Sequence, residues 1–169
     1  MIKINNAKLA DASLVDIEIS NGVITNINKA SGNKSVDGID ATGKMLLPGF
    51  VDLHTHLREP GREDAETVLT GSQAAVSGGY TAISSMANTN PVADTAGVVE
   101  QIFRLGKTAG LCDVNPIGAV TKGLNGEQLA ELGAMADSIA KVRIFSDDGK
   151  CVSDPLIMRR ALELSLIHI

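Results

Sequence analysis

Aromatic side chains are almost missing from this sequence, with no Trp, one Tyr and three Phe among 169 residues. A core must therefore come from Ala, Val, Ile, Leu and Met, which suits helices packed on a parallel sheet. Cysteine is as scarce. Cys112 and Cys151 stand alone, far from any CxxC spacing, which excludes a zinc knuckle and a disulfide framework and leaves both as small buried hydrophobes. A basic excess is lacking too: 15 Lys and Arg stand against 20 Asp and Glu, and no basic cluster interleaves with aromatics, so nucleic acid is excluded as a partner. No apolar run reaches membrane-spanning length, and no basic N-terminal segment leads into an apolar one. Membrane-spanning and secreted readings fall away, and a cytoplasmic protein remains. What is present, 44% hydrophobic and 21% charged residues, is enough to bury the core of one ordinary globular domain.

Two textures divide the chain. Up to residue 47 it offers short β-branched segments, "MIKINNAKLA", "LVDIEIS" and "VITNINK", with Asn21-Gly22 as a hairpin signal between the last two. From residue 49 an apolar run, a turn and an amphipathic helix recur. The runs cover 50–55, 80–87, 111–120 and 139–146, and the helices 63–77, 94–108, 126–136 and 154–164, with Asp94 and Asp154 placed as N-caps. In the second helix Ala96, Val99, Ile102 and Phe103 share one face and Glu100, Arg104 and Lys107 the other. Four consecutive strand-helix units predict a parallel sheet with right-handed crossovers. A doubly wound nucleotide-binding sheet would carry a glycine-rich loop after its first strand, and that position holds "HTHLREPG". The expected fold is therefore α/β, the first half of a TIM-type (β/α)8 barrel preceded by a small β module. A complete barrel takes eight units and about 250 residues.

"FVDLHTHLREPG" puts two of the three histidines at the end of the first barrel run. Side chains at i and i+2 of a strand project to the same face, so His54 and His56 point one way and Thr55 the other. At the C-terminal end of a barrel strand that face is the mouth, where active sites of this fold sit. Two imidazoles converging there can hold one metal ion at about 2.0 to 2.1 Å each. HxH alone also describes two polar residues at a strand end.

The flanks narrow the reading. "DLHTHLREPGRED", "TGSQAAVSGGYT", "MANTNP" and "FSDDG" occur in order, and this set resembles the dihydroorotase family of the amidohydrolase superfamily, in particular the bacterial class whose two zinc ions are bridged by an aspartate. The resemblance covers the chain to about residue 164. It implies a zinc-dependent hydrolase that reversibly cyclises N-carbamoyl-L-aspartate to (S)-dihydroorotate in pyrimidine biosynthesis. It also implies that residues 1–47 are part of a β-sandwich domain and that 48–164 are the first four units of the barrel. His54, His56 and Asp148 are the implied metal ligands, with Asp147 as the rival to Asp148. His56, Arg58 and Asn88 are the implied contacts to a small-molecule substrate, Arg58 gripping its carboxylate with two parallel hydrogen bonds. "MANTNP" departs from the commoner family form, which has Pro where Ala87 stands.

No residue of this chain is assigned as general acid or base, and the chain on its own is expected to be inactive. Two alternatives accompany the reading. A hydantoinase or allantoinase would bridge its metals with a carboxylated lysine, for which Lys141 is the candidate. A non-catalytic relative would serve as a structural subunit of aspartate transcarbamoylase, which stands beside a homodimer as an implied partner. His168, in "SLIHI", is not assigned to metal: only 20 residues separate it from Asp148, and residues 165–169 read as a foreign tail.

Overall fold

Asn21 and Gly22 form the hairpin that their sequence announces. Both have positive φ, 51° and 76°, the two-residue turn whose twist matches its flanking strands, and glycine takes the second position without a Cβ to strain. In the computed structural model, which describes residues 1–32 and 38–168 and the last four of these by backbone alone, this turn joins β2 (Leu14–Ser20) to β3 (Val23–Lys29). β1 (Ile2–Lys8) pairs antiparallel with β2 and parallel with the short β4 (Ile39–Asp40), giving the sheet order β3-β2-β1-β4. Alternation along β2 sends Val15 and Ile17 into a small core with Ala7 and Ala41.

A bulge in β1 shifts the register between Ile4 and Ala7, and Asn6 there has φ 58°. The Asp16 carboxylate secures it, accepting from Asn6 N at 2.8 Å and from Ser31 N at 3.0 Å. These amides, Asn6 first, hold the Asp16 carboxyl below its usual range.

The unit Met1–Pro48 contains these strands, and Gly49–Ile169 forms the second unit. There β5 (Phe50–Thr55), β6 (Tyr80–Ser85) and β7 (Asp113–Pro116) make a parallel sheet in that order. Helix α1 (Val68–Ser77) connects β5 to β6, and α2 (Ala96–Ala109) connects β6 to β7. Leu57, Val68, Ile83, Val99, Ile102 and Val114 are core residues of this unit. On α2, Val99 and Ile102 are fully buried, whereas Arg104 pairs with Glu100 at 2.8 Å on the outer side. No helix among the described residues is long and apolar enough to cross a membrane.

Several expectations shift. Helix α1 starts at Val68 rather than near residue 63, because Thr67 and Thr70 cap each other reciprocally and Glu59 Oε2 accepts from Val68 N at 2.7 Å. The residues before it are tied as a loop, where the Gly61 N–H, 2.8 Å from Glu63 Oε1, holds the Glu63 carboxyl below its usual range. Thr95, not Asp94, is the N-cap of α2, and Asp94 instead accepts from Gly123 N at 2.9 Å. The third helix shortens to α3 (Leu132–Asp137). Asp154 does cap α4 (Pro155–His168), accepting from Leu156 N at 2.8 Å. The expected foreign tail falls on residues whose side chains lie outside the described ones. Cys151 is exposed and Cys112 half-buried, so neither is the buried hydrophobe that its isolation suggested.

The largest difference is the run 139–146. It forms no strand, only a single parallel bridge between Phe145 and Gly118, with Gly118 N to Ile144 O at 3.1 Å and Ser146 N to Gly118 O at 2.9 Å. Lys141 has φ 49° and interrupts the extended backbone. The Arg143 guanidinium bonds back to Ala136 O and Val142 O, so the segment stays tied to the end of α3. A Cβ on Gly118 would lie 2.8 Å from the Phe145 ring, which is why glycine stands where the two segments touch.

Candidate metal centre

The apolar run of β5 ends in His54 and Thr55, and strand alternation separates their side chains. Thr55 Oγ1 donates to Ser84 O at 2.8 Å, locking one side of the strand end onto β6. His54 and His56 leave on the other side, their rings edge to face with centroids 5.2 Å apart. Asp148 meets them from the turn after the Phe145 bridge. His54 Nε2 lies 3.4 Å from Asp148 Oδ1, and His56 Nε2 lies 3.4 Å from Asp148 Oδ2.

These three residues offer ligand atoms within 4.8 Å of one another. Two donors bound tetrahedrally to one zinc ion at about 2.0 to 2.2 Å stand about 3.3 to 3.5 Å apart. Each histidine nitrogen stands at that spacing from one oxygen of Asp148, a different oxygen for each, and two imidazoles with a carboxylate are a donor set zinc accepts. The residues present therefore fit the metal that the family resemblance implies.

Asn88, beyond the end of β6, completes the group. Its Nδ2 donates to Asp148 Oδ2 at 3.2 Å, and its Oδ1 lies 2.9 Å from His56 Nδ1. An ionised carboxylate only accepts, which fixes the amide with its nitrogen toward Asp148. Oδ1 also only accepts, so Nδ1 of His56 is the donor in this contact, which leaves Nε2 as the nitrogen that would bind a metal ion. That is the tautomer a metal ligand needs.

Arg58 follows the pair in the loop, with φ 61° and its carbonyl accepting from Arg62 N at 2.8 Å. The residue is half-buried, and its guanidinium has no hydrogen bond or ion pair among the described residues, which leaves the fork unused. Asp147 turns away from the cluster. It accepts from Val120 N at 2.8 Å, from Thr121 N at 3.0 Å and from the Thr121 hydroxyl. Lys141 is exposed, and its amine donates to Asp137 O at 3.1 Å. Thr121 had no signal in the sequence, because nothing local ties a threonine to an aspartate 26 residues away.

Comparison with known proteins narrows the class in two steps. In fold, the chain is similar to an L-hydantoinase (dihydropyrimidinase) from Arthrobacter aurescens, with TM-score 0.67, 24% identity and coverage of 85% of this chain and 32% of that one. It is similar to a dihydropyrimidinase from Brevibacillus agri with TM-score 0.67 and 20% identity, over 99% of this chain and 38% of that one. At these identities the likeness defines a shared α/β fold.

In sequence the match is closer and points elsewhere. The profile of the family described as "Dihydro-orotase-like" matches residues 43–165. A dihydroorotase from Leifsonia xyli is 62% identical over 95% of this chain and 36% of its own length. One from Streptomyces coelicolor is 61% identical over 95% and 37%, and one from Mycobacterium tuberculosis 59% over 88% and 35%. The chain belongs to the dihydro-orotase-like family, and it spans little more than a third of the length of these relatives. His54, His56 and Asp148 give this chain a group of donors that could hold a metal ion.

Proposed function

We propose that the protein carrying these residues is a zinc-dependent dihydroorotase that interconverts N-carbamoyl-L-aspartate and (S)-dihydroorotate. The observation that carries the reading is the His54, His56 and Asp148 cluster, set in a chain 62% identical to a dihydroorotase. In the same proposal the strands β5 to β7 and the Phe145 bridge belong to a (β/α)8 barrel, the N-terminal sheet to a β-sandwich, and the protein to the cytoplasm.

Zinc bound by the three residues would supply a Lewis acid that polarises a carbonyl oxygen and lowers the pKa of a water. The chain's own residues supply orientation. Arg58 holds the substrate α-carboxylate through two parallel N–H bonds. The second N–H of Asn88 Nδ2 is left for the same carboxylate, and His56 stands beside it, 2.9 Å from Asn88 Oδ1. Ring closure joins the ureido nitrogen to the side-chain carboxyl carbon with loss of water, and ring opening reverses it, so substrate held by Arg58 and Asn88 needs no reorientation between directions.

The hydantoinase alternative draws on fold likeness at 20 to 24% identity, and the amine it would carboxylate is engaged with Asp137 O. Association with a second copy or with aspartate transcarbamoylase is part of the proposal, and hydrodynamic mass alone and in mixture separates the two. The functional test is an assay of the full-length protein on carbamoyl aspartate, dihydroorotate and hydantoin. Turnover of the first two supports the proposal, and turnover of hydantoin alone overturns it.

A further inference from the structure

Among the described residues Asp147 is the only charged side chain that is buried, at 8% exposure. It offers no atom to the cluster beside it. A buried carboxylate is costly unless hydrogen-bonded, and this one is bound by Val120 N, Thr121 N and the Thr121 hydroxyl. Thr121 is itself fully buried, and its hydroxyl oxygen accepts from Gly126 N at 2.9 Å. The carboxylate thus reaches from the candidate ligand's neighbour into the loop after β7, and the hydroxyl passes the contact on to Gly126.

The placement matters because residues 139–146 have no strand of their own. One bridge to Gly118 cannot set the direction of a side chain three residues beyond Phe145. Past the bridge, two contacts fix the backbone: Lys150 N to Asp147 O at 2.8 Å, and the Asp147 side chain itself. In the turn the Asp147 carboxylate is pinned to the β7 loop while the next side chain, Asp148, reaches His54 and His56, so the anchor on Asp147 holds the backbone from which Asp148 projects. We infer that Asp147, acting through Thr121, is a positioning residue for the Asp148 backbone, beside the Asn88 amide that bonds the Asp148 carboxylate, supplying no ligand atom and setting how well the three donors hold a divalent cation. The inference rests on the metal-site reading above.

The test is Co2+ binding to the full-length apoprotein, followed by visible absorption and by competition with a chromophoric chelator. It compares wild type, Thr121→Val, Thr121→Ser, Asp147→Asn and His56→Ala, each at a temperature where circular dichroism shows it folded. Thr121→Val keeps the shape and both backbone donors, and it avoids dependence on an Asp147→Asn variant that fails to fold. The expected result is affinity lowered about tenfold or more in Thr121→Val, with an altered Co2+ spectrum, and recovery of both in Thr121→Ser. A role in stability alone would lower the melting temperature and leave affinity and spectrum unchanged. Equal affinity in wild type and Thr121→Val, both above His56→Ala, overturns the inference alone. Wild type binding no better than His56→Ala overturns the metal site and the inference together.

Discussion

His56 and Asn88 are joined by a 2.9 Å contact between Nδ1 and Oδ1, and the other end of the same amide reaches Asp148 at 3.2 Å. One neutral side chain thus orients an imidazole and a carboxylate of the cluster, with one N–H to spare. Asn88→Ala should raise KM for carbamoyl aspartate about tenfold or more, since a hydrogen bond to a charged group contributes about 1.5 to 3 kcal/mol. It should also weaken zinc retention, because His56 loses the acceptor that selects its tautomer. Steady-state kinetics with metal analysis checks both, and a loss of kcat with unchanged KM would contradict the substrate contact.

Arg58 predicts a sharper effect than its chemistry class suggests. Its guanidinium is free of partners among the described residues, and a lysine there keeps the charge but not the planar fork. Arg58→Lys should raise KM for both carbamoyl aspartate and dihydroorotate about tenfold or more while melting as wild type does. Unchanged KM for both substrates would remove Arg58 from the site.

Acid should act on the N-terminal sheet through Asp16. Its folded pKa is depressed by the Asn6 and Ser31 amides, so its contribution is present above its unfolded pKa of about 3.9 and disappears as pH falls through the lower folded value. Asp16→Asn should therefore melt below wild type near pH 7, and the gap should narrow near pH 3. A gap that widens toward acid would reverse the sign of this argument. Amide exchange at Asn6 and Ser31 would localise it.

Local pattern reached as far as local forces do. The runs of β5, β6 and β7 and the Asn21-Gly22 turn were legible, because apolar burial and positive φ leave marks within a few residues. That His54 and His56 share a side follows from the two-residue period of a strand. The run 139–146 reads as apolar, but Lys141 and Arg143 are committed to the end of α3, and no local pattern announces that. A strand running on from 139–146 would point Asp147 and Asp148 apart, yet the sequence cannot say which of them meets His54 and His56, and the segment is a turn there. Contacts with Val120 and Thr121, 27 and 26 residues away, distinguish them. The start of α1 at Val68 carries a local mark, the Thr67 and Thr70 capping pair, while the Glu59 carboxylate that accepts from Val68 N leaves none.

The most direct test of the central claim is anomalous diffraction at the zinc edge from crystals of the full-length protein grown without added chelator. The account predicts a zinc peak in contact with His54, His56 and Asp148, with Asp147 still bound to Val120 and Thr121. An active protein with its zinc peak at other residues, or with Lys141 among the ligands, would contradict it.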